Sequence, residues 1–254
     1  MLKTKLTELY IHKNAFTLAE VLITLGIIGV VAAMTMPSLI ANHREKQTAA
    51  QLKKVYSTIQ QAYLMAIEKH GDPVNWDLTD TLKGTDDEGN NITDYTSAYT
   101  IFQYLGENMN KLKAEVNKSP DFKYDNYSLD GTFRSRISQD KNIPYMYLTD
   151  GTLLSSGWVS NGKMDIYVLL NKCALKGKCV LGKDIFYFTL HTSPARIIPD
   201  GSPADSAARF KQFCNIGISN KDNGRGCTAW VLLNENMDYL HCNDLDWNTK
   251  TRCN

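Results

Sequence analysis

Residues 16–40 read FTLAEVLITLGIIGVVAAMTMPSLI, and this stretch decides the architecture. From Val21 to Met36 no side chain is charged, and from Phe16 to Met36 the single charge is Glu20. A helix of about 21 residues is about 31 Å long, which matches the hydrocarbon core of a bilayer. The segment is therefore long enough and apolar enough to span a membrane. Residues 1–15 (MLKTKLTELYIHKNA) are polar and mildly basic, with Lys3, Lys5 and Lys13 against Glu8. Lysines ahead of a span keep that end in the cytoplasm, so everything after Ile40 is expected on the far side.

Three readings of this stretch compete. A cleaved secretory signal would use Val31-Ala32-Ala33 as its small-residue site, but the apolar run is long for such a signal and the basic segment stops well short of it. A plain uncleaved anchor leaves Glu20 as an accident near the membrane edge. The third reading accounts for more residues. Asn14-Ala15-Phe16-Thr17-Leu18-Ala19-Glu20 resembles the type III signal of type IV pilins and type II secretion pseudopilins. There a short basic leader ends in a small residue, usually Gly, and Phe-Thr-Leu-x-Glu opens a retained apolar helix.

The resemblance covers about residues 13–65. It implies cleavage between Ala15 and Phe16 by a membrane-embedded prepilin peptidase, with N-methylation of Phe16. Ala15 stands where the family has Gly, and both are small. Pro37 matches a proline common toward the end of the family's apolar segment. A carboxylate at the centre of a span costs about 2.5–3.5 kcal/mol, less at its edge, and normally has a partner. The resemblance supplies one, since cleavage exposes an amine on Phe16 that can pair with Glu20 of a neighbouring subunit and set the axial register. Gly29 and Ala33 stand in small-xxx-small spacing, which lets membrane helices approach closely. Pro37 removes a backbone donor and should kink or locally melt the helix.

Past Ile40 the composition turns polar, yet a helical apolar period continues through Leu52, Val55, Tyr56, Ile59, Ala62, Tyr63 and Ala66. Gly71-Asp72-Pro73 ends it. The helix is thus expected to run about 50 residues, or about 80 Å. Residues 86–91 read as an acidic turn-rich loop and 99–113 as a short helix. From about residue 143 the pattern becomes β. Residues 145–148 and 152–154 flank Asp150-Gly151, a hairpin signal, and residues 165–170, 184–190 and 228–233 are further strand candidates. The expected fold class is α+β and pilin-like: a long N-terminal α-helix, transmembrane in its first half, packed on a C-terminal antiparallel β-sheet of about four strands. The expected organisation is a cytoplasmic leader over 1–15, a transmembrane half-helix over 16–40, an amphipathic half over 41–70 and an exported globular domain over 71–254.

All six cysteines fall in the last third: Cys173, Cys179, Cys214, Cys227, Cys242 and Cys253. In an exported domain an even cluster reads as disulfides. Six cysteines allow fifteen pairings. Neighbour pairing gives 173–179, 214–227 and 242–253, with 214–227 favoured because it ties off a turn-rich loop. Zinc is the weaker alternative, since there is no Cys-x-x-Cys pair.

Signals for catalysis are absent: the chain has no Gly-rich phosphate loop, HExxH or GxSxG. Ser155-Ser156-Gly157 reads as a strand end rather than a nucleophile. No cofactor is expected. Calcium enters only through the resemblance, because major pseudopilins bind it in a C-terminal loop. Asp244-Leu245-Asp246-Trp247-Asn248 starts like a calcium loop but lacks the sixth-position Gly and terminal Glu, so it reads as a solvated turn. Lys+Arg 28 against Asp+Glu 27 gives a net charge of +1, and losing three lysines and one glutamate with residues 1–15 turns it to −1. Neither value marks a nucleic-acid partner.

The function implied is a non-enzymatic structural subunit of a type IV pilus-like or type II secretion filament in the bacterial inner membrane. Its partners would be prepilin peptidase, other pilin subunits, a platform protein, an assembly ATPase and membrane lipid. Two other classes stay open: a monomeric membrane-anchored extracytoplasmic binding domain, and an exported enzyme cleaved after Ala33.

Overall fold

A computed structural model describes residues 17–76, 78–89, 91–109, 111–115, 123–137 and 143–253, without the side chains of 111–115 and 204–207. The chain parts into two compact units between Arg44 and Glu45. The long helix α1 (Leu18–His70) is one element through that point.

In the second unit the helix presents Thr48, Ala49, Leu52, Val55, Ile59, Ala62, Tyr63 and Ala66 to the core. The three- and four-residue steps put them on one face. The helix ends where expected. Gly71 takes φ +81°, a left-handed conformation open to glycine, and its N–H donates to the Ile67 carbonyl at 2.9 Å.

Next come a short hairpin, β1 (Leu82–Thr85) and β2 (Asn91–Thr93), around the acidic loop, and then α2 (Thr96–Glu107). The helix expected over 99–113 therefore starts and stops earlier, and residues 111–115 extend as a strand. The strands that follow are β3 (Lys111–Glu115), β4 (Tyr124–Tyr127), β5 (Phe133–Ile137), β6 (Tyr145–Leu148), β7 (Leu153–Ser160), β8 (Lys163–Leu169), β9 (Lys178–Val180), β10 (Ile185–Thr192) and β11 (Ala195–Pro199). Two helices, α3 (Pro203–Phe213) and α4 (Thr228–Asn234), follow β11.

The main sheet has six strands in the order β11-β10-β8-β7-β6-β3, every pair antiparallel, rather than the four expected. The Asp150-Gly151 turn joins β6 to β7 as read from sequence. A second sheet, β5-β4-β9, contains one parallel pair, β4 with β9. Parallel pairing needs a long crossover that no local sequence pattern announces.

The six-stranded sheet is buried on both faces. On one, Met164, Ile166 and Val168 of β8 and Phe186, Phe188 and Leu190 of β10 join the helix stripe in the larger core. Two tyrosines tie helix to sheet: the Tyr63 hydroxyl donates to the His191 carbonyl at 2.8 Å and the Tyr56 hydroxyl to Ile197 at 3.2 Å. On the other face Leu153, Leu169, Ile185 and Tyr187 pack with Tyr124, Cys179 and Leu181 in a second core. Ser155 and Ser156 lie inside β7, not at a strand end, and their hydroxyls are directed at the backbone carbonyls of Pro144 and Gly157.

Residues 228–233 are helical, not extended. Short apolar runs do not distinguish strand from helix by pattern, and here packing decides. The preceding 3-10 turn, Arg225–Cys227, is covalently tied to α3, and the run buries Thr228 to Val231 in succession. Trp230 stacks on Phe210 at 4.3 Å between ring centroids, with Trp247 at 4.9 Å.

The six cysteines form three bridges: 173–179, 214–227 and 242–253. The second joins the end of α3 to the turn before α4. Its two sulfurs belong to residues 3% and 0% exposed. Replacing both Cys214 and Cys227 with Ser is expected to lower stability by about 3 kcal/mol, from lost chain constraint and buried hydroxyls. Chemical denaturation under oxidising conditions reads this directly. The half-buried Cys242–Cys253 bridge provides the control with the smaller packing loss.

Candidate functional site

The candidate assembly segment begins at Thr17. Ala15 and Phe16, the residues of the expected cleavage, lie outside the described residues. Thr17 is the N-cap of α1, and Glu20 occupies the third helical position. The Thr17 hydroxyl accepts the Glu20 N–H at 3.2 Å. In return the Glu20 carboxylate accepts the Thr17 N–H at 2.8 Å and the Thr17 hydroxyl at 2.9 Å. This is a capping box, Thr-x-x-Glu, which satisfies two backbone donors that a helix start leaves open. Thr17 is thus the capping residue of this segment. Its sequence signal is the three-residue Thr to Glu spacing at the head of an apolar run.

From Leu18 to Arg44 the helix has almost no cover. Leu22, Ile23, Leu25, Ile27 and Ile28 are each 60–63% exposed, and Leu18 and Met34 more so. Among the described residues this is the one helix long and apolar enough to cross a membrane. By length and composition it is able to cross a membrane once. Gly29 and Ala33 are exposed, and a Cβ added at Gly29 would meet nothing within 4 Å. Pro37 lies inside α1, which continues through it. Nearby hydroxyls bond to helix carbonyls, Thr35 to Val31 at 3.0 Å and Ser38 to Thr35 at 3.0 Å. Neighbouring Ser and Thr side chains commonly support the backbone near a membrane-helix proline.

The other candidates take structural places. Asp244 pairs with Lys250 and Asp246 with Lys211, each at 2.6 Å, and the Lys211 ammonium and Asn248 N–H hold the Asp246 carboxyl at about 2. No group of three or more His, Cys, Asp or Glu side chains placed to hold a metal occurs among the described residues. His70 stacks on Tyr104 and lies 3.0 Å from Glu107, and His241 lies 3.0 Å from Glu45.

Residues 12–36 match a profile described as a prokaryotic N-terminal methylation motif. Residues 38–200 match the profile of a family of unknown function, DUF6613. No curated protein and no solved structure matches the chain. The methylation motif spans the capping box and the bare apolar helix, so the N-terminus is of the type IV pilin-like kind cut by prepilin peptidase.

Proposed function

Because the chain belongs to the DUF6613 family and opens with a prokaryotic N-terminal methylation motif, we propose that it is a structural subunit of a type IV pilus-like or type II secretion filament. Residues 1–15 are a leader, removed between Ala15 and Phe16, and Phe16 is N-methylated. Residues 16–40 form the transmembrane half of the helix and 41–70 its amphipathic half. Residues 71–254 form the exported domain in the periplasm or beyond. The platform protein, the assembly ATPase and other pilins carry the work of export and retraction. The chain itself contributes packing surface and no catalysis.

The observation that supports this reading most is the uncovered apolar helix that starts at the methylation motif. Lipid covers such a surface before assembly, and neighbouring helices cover it afterwards. Close helix approach falls to the Gly29, Ala33 and Pro37 face, whose members are four residues apart. Before assembly the Glu20 carboxylate is held by its own Thr17. On assembly it exchanges those bonds for the Phe16 amine of the adjacent subunit, trading neutral donors for an ion pair away from water.

Mass spectrometry of the N-terminus from native membranes tests the processing. A mature chain beginning with N-methyl-Phe16 is expected. An intact Met1 would favour the second reading, a monomeric anchored binding domain. A chain beginning at Met34 would mean secretory cleavage and end the filament reading.

A further inference from the structure

A cavity of about 220 Å3 is lined jointly by the small sheet and by the adjacent face of the large one. Tyr124 and Asn126 of β4 form one wall, and Tyr167 of β8 and Tyr187 of β10 form the other. We propose that this cavity binds a single neutral pyranose ring, free or at the end of a glycan chain.

Four observations lead there. The first is an unanswered acceptor. Asn126 is 4% exposed, lines the cavity, and its side-chain carbonyl oxygen has no hydrogen-bond partner among the described residues. A buried polar atom without a partner is costly, so its presence needs a reason. A hydroxyl donated by a ligand supplies one.

The second is charge balance. Arg134 pairs with Asp222 at 2.7 Å, and Arg225 with Asp165 at 2.8 Å and Asp200 at 3.1 Å. Arg209 also pairs with Asp200, at 2.8 Å. Three guanidinium groups therefore face three carboxylates. An anionic ligand would have to strip a carboxylate from its arginine, and a cation would find none free. Burial pushes the Tyr167 and Tyr187 phenols above their ordinary range, so that wall is neutral as well.

The third is the ring surface. Tyr167 and Tyr187 lie 4.5 Å apart between centroids. Gly157 makes room for that arrangement, because a Cβ there would collide with the Tyr167 hydroxyl. The Arg225 guanidinium covers the Tyr187 ring at 4.8 Å, so Tyr167 is the ring left on this wall for a pyranose, which offers an apolar C–H face and hydroxyl donors around its edge. The cavity volume is below the 300–1,000 Å3 of drug-sized sites, and suits one sugar ring.

The fourth is the mouth. β7 bulges between Ser156 and Val159, and Trp158 stands 42% exposed at the rim. Bulges turn a side chain away from the regular pleat. Here the turned residue is a large aromatic at the opening, where it can stack on a second ring of a longer chain.

The test uses the full-length protein in a zwitterionic detergent that carries no sugar. Saturation-transfer NMR titrations are run with the methyl glycosides of glucose, galactose, mannose, N-acetylglucosamine, N-acetylgalactosamine and glucuronic acid. Oligosaccharides ending in each of these rings follow. At least one neutral ring is expected to bind saturably. Asn126→Leu should weaken that binding at least tenfold without lowering Tm, since it removes an unpaired acceptor. Trp158→Ala, at the exposed rim, keeps the test intact should Asn126→Leu fold poorly. It should weaken the oligosaccharide at least tenfold. Binding by methyl glycosides and oligosaccharides alike indicates a free sugar as a sufficient ligand. Binding by oligosaccharides alone indicates a glycan end. Three results would overturn the proposal: no saturable binding in either series, tighter binding of the glucuronide than of every neutral ring, or binding that survives both substitutions.

Discussion

Glu20→Val is expected to give a protein that is cut, N-methylated and held in the membrane, yet never built into a filament. Cleavage is read from the leader and the small residue before the cut, which the substitution leaves alone. Insertion becomes easier, because an ionisable group leaves the edge of an apolar span. Assembly loses its counter-charge. Each incoming subunit would bring a Phe16 amine into a low-dielectric helix bundle with nothing to meet it, and an unpaired buried charge is among the most destabilising features a packed interface can hold. Mass spectrometry of the membrane fraction and electron microscopy of sheared filaments read the two halves of the prediction. Normal filaments from Glu20→Val would sink the pairing.

The capping box raises a competing explanation, which a second substitution separates. Glu20 also closes the first turn of its own helix through Thr17. Losing a cap costs about 1 kcal/mol, a modest sum for a helix held in lipid. Glutamine serves a capping box as glutamate does but carries no charge. Glu20→Gln should therefore keep the helix start and still fail to assemble. Wild-type assembly by Glu20→Gln would mean that Glu20 works as a cap alone. Thr17→Ala, which breaks the box and keeps the charge, should lower filament yield only partly.

Trp230→Ala is expected to remove about 3–5 kcal/mol of stability. Its side chain is fully buried, stacked flat on Phe210 and leaning on Trp247, with its indole N–H donating to Asn236 at 2.9 Å. Truncation opens a large cavity and takes one of two donors from the Asn236 oxygen, leaving it the Asp238 N–H at 3.1 Å. Native domains are stable by about 5–15 kcal/mol, so much of the margin would go. Leu233, three residues on and 63% exposed, should tolerate Ala within about 0.5 kcal/mol. The contrast is specific to α4. A strand would set 229, 231 and 233 on one face and 230 and 232 on the other. The helix instead buries 228–231 together and releases 233. Thermal or urea unfolding of both variants measures it.

Much was legible in the chain by itself. A charge-free run of membrane length, a mildly basic stretch ahead of it and the Phe-Thr-Leu-x-Glu order each depend on residue type and local spacing. So does the end of α1, where a single glycine adopts the left-handed turn at Gly71. The amphipathic stripe from Leu52 to Ala66 was readable because burial of one helix face repeats every three to four residues. The α+β class followed from that stripe and the alternating strands after residue 143. The tertiary structure decided what no local pattern carries. The six-strand order, the parallel β4–β9 pair and the second sheet arise from contacts between segments far apart in sequence. The helical state of 228–234 arises because Trp230 finds an aromatic pocket built by Phe210 and Trp247. Asn126 and Trp158 come together with Tyr167 and Tyr187 at one cavity only once two sheets face each other. Local chemistry set where this chain anchors and how its first helix begins. Long-range packing set what the domain after the helix can hold, because a cavity belongs to no single segment.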